Sequence, residues 1–235
     1  MRCENGKGAD DYFVKLWNNI DLKEHSLARE IYGSLLANYF NLSTPDIALV
    51  DIHQDFHLYE NDPQIRQFLQ NSPGLNFGSK SVNGAFIFSP PAPPSTISLA
   101  ARVFCFDMLI CNADRSSRIN MFQNADGFML IDHELAFPFS RPGMYVGGFP
   151  RGWEYIRESW SKEHILYTSL KGKVLEAEID EFLFDLASLK NNILVTIEKS
   201  IPPQWQADLK NISNYLAETR DNPKYFKRNL QELLV

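Results

Sequence analysis

The chain is short of cysteine and histidine, and it has no long apolar run. Its three cysteines are Cys3, Cys105 and Cys111. Two of them share one apolar segment, so no disulfide framework is expected, and buried thiols in a reducing compartment are. Five histidines form no convincing partner set for a multi-histidine metal centre. His53 and His57 have helical metal-ligand spacing, but their neighbourhood reads as strand then loop. No stretch approaches the roughly eighteen consecutive apolar residues that a membrane helix needs. The opening Met1-Arg2-Cys3-Glu4 is polar, unlike the basic-then-apolar start of a secretory leader, so a cytoplasmic protein with no membrane partner is expected. Twenty-three basic against twenty-nine acidic residues give a net charge of −6. With no Lys/Arg block, nucleic acid is disfavoured as a primary partner. No internal repeat is visible.

What is present is enough for a substantial core: 235 residues, 44% of them hydrophobic, suit one domain. The most informative stretch is Asn112-Ala113-Asp114-Arg115, followed by Asn120 and then Ile131-Asp132-His133-Glu134. Residues 99–111 are almost wholly apolar with one acid, Asp107, and read as a buried helix leading into this stretch. Asp107 is expected to brace the following loop through hydrogen bonds, because a buried unpaired carboxylate is costly. Met121-Phe122 begin a strand, residues 124–127 supply a tight turn, and residues 128–131 return as a second strand. Phosphoryl transfer needs one carboxylate to orient a hydroxyl, plus an amide and a second carboxylate to hold magnesium against nucleotide phosphates. Asp114, Asn120 and Asp132 can fill those roles, and two protein ligands suit magnesium, which keeps water and phosphate oxygens. The same residue types are also ordinary loop chemistry. Arg115 is expected either to neutralise Asp114 or to contact phosphate. A phosphohydrolase built on Asp132-His133 is the rival enzyme class, and the scarcity of histidine opposes it.

Upstream, residues 12–17 form a short β-rich run containing Lys15. Asp21 reads as a helix N-cap with Glu24 three residues later. Leu27, Ile31, Leu35 and Tyr39 then trace an apolar stripe on a helix ending near Asn41, with Glu30 beside it. A strand lysine and a following-helix glutamate form the pair that positions nucleotide phosphates in protein kinases. Singly, Lys15 reads as a solvated strand lysine and Glu30 as a surface charge. Residues 5–8, Asn-Gly-Lys-Gly, read first as a hairpin turn and second as a phosphate loop in which backbone amides around Gly6 and Gly8 approach the nucleotide. Residues 89–95 are a stiff, proline-rich connector. Residues 138–153 hold too many breakers for regular structure and suggest a loop that binds acceptor or packs on Phe149, Trp153 and Trp160. Beyond residue 161 the pattern is helical. Ile179, Phe182, Leu183, Leu186 and Leu189 share one face, a helix runs from Pro203 to about Thr219, and another starts at Pro223.

Together these segments resemble a HipA-like kinase of the compact branch. The resemblance is carried by residues 13–16 (FVKL), 27–30 (LARE), 44–50 (TPDIALV), 76–80 (NFGSK), 112–115 (NADR) with 120–122 (NMF), and 131–137 (IDHELAF). Residues 163–166 (EHIL) and 201–205 (IPPQW) extend it along nearly the whole chain. It implies an α+β, two-lobed kinase-like fold, with a β-rich N-lobe over 1–88 and a mostly helical C-lobe over 89–235. It implies that Lys15 contacts ATP phosphates, Glu30 holds Lys15, Asp114 is the catalytic carboxylate, and Asn120 and Asp132 bind Mg2+. Adenine would then meet backbone groups within residues 80–85. The implied activity is transfer to a protein serine or threonine. A toxin-like role with a small companion or antitoxin protein is suggested by the family alone. Two departures stand out. The metal-binding amide usually follows the catalytic aspartate by five positions, where this chain has Ile119, and Asn120 comes one later. Only fourteen residues precede Lys15, where a kinase normally places two strands and a glycine-rich loop. The alternative reading is a pseudokinase, or a binding module completed by a partner, without independent phosphotransfer.

Overall fold

A computed structural model describes residues 1–4, 6, 8–18, 24–125, 127–138, 152–207 and 209–235. It is a mixed α and β protein with small antiparallel sheets and many helices. β1 (Arg2–Glu4), β2 (Ala9–Lys15), β3 (Ile47–Ile52) and β4 (Gly74–Lys80) form one sheet in the order β1-β2-β4-β3. β1 and β2 pair as an antiparallel hairpin, Glu4 opposite Ala9, with Gly6 between them at φ 72°; residues 5 and 7 of the expected turn lie outside the described residues. In the register of β2 on β4, Lys15 lies opposite Phe77 and Val14 opposite Gly78. This places Lys15 at the last rung of its strand.

α1 (Glu24–Tyr39) follows β2; the capping residue expected at Asp21 lies outside the described residues. The stripe expected on α1 is displaced. Leu27 and Ile31 are fully buried, but Leu35 and Tyr39 are only partly so, while Ala28, Tyr32 and Leu36 carry the rest of the buried surface. The helix is enclosed on more than one side, so its polar residues Ser26, Arg29 and Glu30 are buried as well. Gly33 is what allows this approach. A Cβ there would stand 2.6 Å from the Cβ of His133, well inside any tolerable carbon–carbon contact.

After α2 (Pro63–Gln70), capped by the Asp62 side chain, the chain runs through β4 to β5 (Phe86–Ile87) and the proline-rich connector. The latter ends in a short 3-10 turn at Pro94–Thr96. α3 (Ile97–Ile110) is the predicted apolar helix, and all residues from Val103 to Ile110 are buried. Cys111 ends it in a left-handed conformation (φ 53°), and the Asn112 N–H returns to the Asp107 carbonyl at 2.9 Å, a Schellman-type stop. Two 3-10 turns, Ala113–Ser116 and Arg118–Asn120, lead to the hairpin of β6 (Met121–Asn124) and β7 (Gly127–Leu130). This hairpin and β5 make a second, three-stranded sheet.

α4 (Gly152–Tyr155), α5 (Trp160–Glu163), α6 (Tyr167–Leu170), α7 (Glu176–Ala187), α8 (Asn191–Lys199), α9 (Leu209–Asp221) and α10 (Pro223–Leu234) follow. The expected apolar face of α7 is buried, although Leu189 lies just past the helix end. The expectation of a helix from Pro203 needs correction. Pro203 opens only a 3-10 turn to Trp205, and α9 begins at Leu209. Residues 139–151 of the breaker-rich loop lie outside the described residues; Trp153 beyond them stacks on Tyr225, ring centroids 5.7 Å apart. One extensive core joins α1, α3 and α7 to α10, and a smaller cluster of Val50, Ile52 and Leu69 lies between β3 and α2. Among the described residues, no helix is long and apolar enough to cross a membrane.

Candidate active site

A cavity of about 310 Å³ opens between the two sheets. Phe13, Val14 and Phe77 line it from the first sheet, and Phe122 and Met129 from the second. Lys80, Ser81, Val82 and Ala85 also line it, the segment where adenine was expected to dock. At its polar end stand Lys15, Glu30 and Asp132. A mostly apolar pocket with a few converging polar groups is the usual form of a small-molecule site.

Three chain segments meet at Lys15 Nζ. It donates to Glu30 Oε1, to Asp132 Oδ1 at 2.7 Å and to Glu134 Oε2 at 2.9 Å. The other Glu30 oxygen accepts the His133 backbone N–H at 2.9 Å. Arg29, one residue before Glu30, donates from Nε to the Glu134 carbonyl at 2.6 Å. α1 therefore holds the segment from Asp132 to Glu134 with two successive side chains. Asp132 itself is left-handed (φ 62°), a conformation that aspartate tolerates better than most residues.

The electrostatics follow from this crowding. Burial works to lower the Lys15 pKa, but Glu30 and Asp132 outweigh it and hold the ammonium above its usual range. Burial raises the Glu30 carboxyl, and Lys15 only partly offsets it. Asp132 is also opposed by burial, yet Lys15 keeps its carboxyl below the ordinary range. Burial pushes His133 down to about 3, so the ring is neutral, and among the described residues neither ring nitrogen has a hydrogen-bond partner.

Asp114 and Asn120 lie beside this cluster but do not line the cavity. Asn120 Nδ2 donates to Asp114 Oδ2 at 2.6 Å, so the two 3-10 turns bring the displaced amide back to the aspartate. The Ile131 N–H reaches the Asn120 carbonyl at 3.3 Å, which bonds Asn120 to the residue next to Asp132. Burial raises the Asp114 carboxyl, and the nearby Asp132 charge adds to that, against the Asn120 hydrogen bond. Gly6 and Gly8 stay in the β1–β2 turn and are not among the residues lining the cavity.

Arg115 bonds Asp107 rather than Asp114, although its charge still favours the Asp114 carboxylate. It is fully buried and points away from solvent. Its Nε donates to Asp107 Oδ2 at 2.9 Å and its Nη2 to Asp107 Oδ1 at 3.2 Å. Its Nη1 donates to the Asn120 carbonyl and, at 2.8 Å, to the Ile131 carbonyl. His164 Nδ1 accepts the Leu166 N–H at 3.1 Å, so Nε2 carries the ring proton and donates to Asp107 Oδ2 at 3.0 Å. Burial opposes ionisation of Asp107, but Arg115 and His164 overcome it and hold the carboxyl at about 2. Asp107 thus braces the loop as expected, directly by accepting from Asn112 Nδ2 at 3.4 Å and indirectly through Arg115. The roles of Glu134 and Arg29 escaped sequence reasoning; their adjacency to Asp132 and Glu30 was the available signal.

Residues 2–142 match the HipA-like kinase family, more than half of the chain, and the protein belongs to that family. Compared with the curated proteins, the chain matches none. Hard oxygen donors of the kind that suit the magnesium used by kinase-like families are present, with Lys15 engaging all three carboxylates here. The carboxylates of Glu30, Asp132 and Glu134 can bring oxygens within 4.8 Å of one another, and hard oxygen ligands are what that ion selects.

Proposed function

We propose that this chain is an ATP- and magnesium-dependent kinase that phosphorylates a serine or threonine of a protein, with residues 1–88 as the small lobe and 89–235 as the large one. The observation that carries this reading is the convergence of Lys15, Glu30 and Asp132 at the polar end of an apolar cavity, with Asp114 and Asn120 bonded to each other alongside. The apolar walls accept the base, and backbone groups of residues 80–85 meet its edge. Lys15, oriented by Glu30, reaches the phosphates. Asn120 and Asp132 hold magnesium, which when bound neutralises charge on the phosphate oxygens. Asp114 orients the acceptor hydroxyl and takes its proton as the new oxygen–phosphorus bond forms and the bond to the ADP oxygen breaks. Arg115 keeps the carbonyls of Asn120 and Ile131 in place and so fixes the spacing of the two magnesium ligands. Family membership supports a protein acceptor and a small neutralising companion protein.

The test is a calorimetric titration with ATP, with and without magnesium, on the wild type and on Asp114→Ala. Magnesium-dependent binding by both, with phosphotransfer lost only in the variant by a factor of about 10² to 10⁴, is the expected outcome. Undiminished transfer in the variant would remove Asp114 from the mechanism. Binding without transfer to any acceptor would leave a pseudokinase.

A further inference from the structure

The Lys15 ammonium has three N–H donors, and three carboxylates engage it. A nucleotide phosphate can reach Lys15 only if one of them yields. The three are not held alike. The Glu30 side chain is 2% exposed and is pinned at its second oxygen by the His133 N–H. Asp132 is the proposed metal ligand. Glu134 is anchored at its backbone by Arg29, and its side chain, 23% exposed, is as open to solvent as that of Asp132 at 24%. With Glu30 pinned and Asp132 assigned to the metal, Glu134 is the carboxylate left to swing away. With three carboxylates around one ammonium the site carries excess negative charge, which repels a polyphosphate entering without a cation.

We propose that Glu134 makes nucleotide binding depend on the metal, by occupying Lys15 in the empty site and by adding the negative charge that metal-free nucleotide must overcome. This inference rests on the reading of the cavity as a nucleotide site. Glu134 is a positioning residue: it acts on substrate through Lys15. When a divalent cation held by Asp132 accompanies the nucleotide, its charge would offset the carboxylates, leaving Glu134 to turn to solvent and Lys15 to meet phosphate. Glu30 stays in place throughout, because both of its oxygens are engaged from within the fold.

The experiment is ATP titration of the full chain in EDTA and in magnesium, for wild type, Glu134→Gln, Glu134→Ala and Glu134→Asp, with thermal melts to confirm folding. Glu134→Gln keeps the shape and removes the charge. It is expected to raise metal-free ATP affinity roughly tenfold, equivalent to about 1.4 kcal/mol, while changing magnesium-ATP affinity far less. Glu134→Ala should do the same if the glutamine variant folds poorly, and Glu134→Asp should keep the metal requirement. Wild type that binds magnesium-ATP, with variants showing the same ratio of metal-free to metal-bound affinity, would overturn the role of Glu134 and leave the kinase reading intact. Wild type that binds no ATP under either condition would overturn both.

Discussion

Two clusters of opposite charges meet where Arg115 bonds the Ile131 carbonyl, next to Asp132, and they are built for different ends. In the first, Arg115 is enclosed with Asp107 and His164, with no exposed surface on the arginine or the aspartate. Nearly every donor there has an acceptor, and charge is balanced. In the second, Lys15 faces three carboxylates, is about a quarter exposed, and borders a cavity. Its charges do not balance, and two of its acceptors can exchange. The sealed cluster holds backbone in place; the open one is poised to change partners. The same functional groups serve architecture when saturated and buried, and binding when left in excess at a cavity edge.

That comparison can be broken most directly at Arg115. Arg115→Met removes the cation from a buried carboxylate and takes the Arg115 donor from the Ile131 carbonyl, so urea denaturation should show a loss of about 3–5 kcal/mol. A loss below about 1 kcal/mol would mean that the sealed cluster is not structural. Next is Gly33→Ala, which forces a methyl group against the His133 side chain. Overpacking of this kind is expected to cost about 1–3 kcal/mol. It should also weaken magnesium-ATP binding, because α1 carries both Glu30 and Arg29; unaltered binding would separate α1 from the open cluster.

Acid stability offers a third measurement. Burial holds the folded His133 pKa near 3, whereas an unfolded histidine titrates near 6.5. Between those values the unfolded chain binds the extra proton. The stability contribution is therefore complete above about pH 6.5 and is lost as pH falls toward 3, at up to about 1.4 kcal/mol per pH unit. His133→Phe, in a site already edged by Phe106, should flatten the slope of unfolding free energy between pH 6.5 and 4. An unchanged slope would show that this ring does not govern it.

The smallest expected effect on stability is at Lys15. Lys15→Met should cost only about 1 kcal/mol, as for a partly exposed ion pair, since Glu30 can take up a proton and the other two carboxylates meet solvent. Nucleotide binding should nevertheless fall sharply. A stability loss as large as that of Arg115→Met would erase the distinction between the clusters.

Much of the local structure was legible from residue order. Apolar residues 99–111 gave a buried helix, a turn-rich segment between two short apolar runs gave the β6–β7 hairpin, and the β2 lysine and α1 glutamate stood in an order that suggested their pairing. Other features were not legible. The stripe on α1 was misplaced because helical spacing identifies one apolar face, whereas α1 is enclosed on several sides. Pro203 marked a start, but could not say whether the turn after it would continue as α-helix or stop at Trp205. Arg115 was ambiguous because a cation in a polar loop can face solvent or core with equal local propriety.

By itself, the sequence determined the elements and the residue types available for chemistry, because periodicity, turn preference and the cost of burying polar groups act over a few positions. Only tertiary structure decided which groups met. Lys15 and Glu134 are 119 residues apart, and Asp107 and His164 are 57 apart; no local rule specifies such contacts. Packing made Arg115 a brace, gave Glu134 a place on Lys15, and set Gly33 against His133, because close packing leaves one arrangement in which the buried charges find partners and the backbones fit.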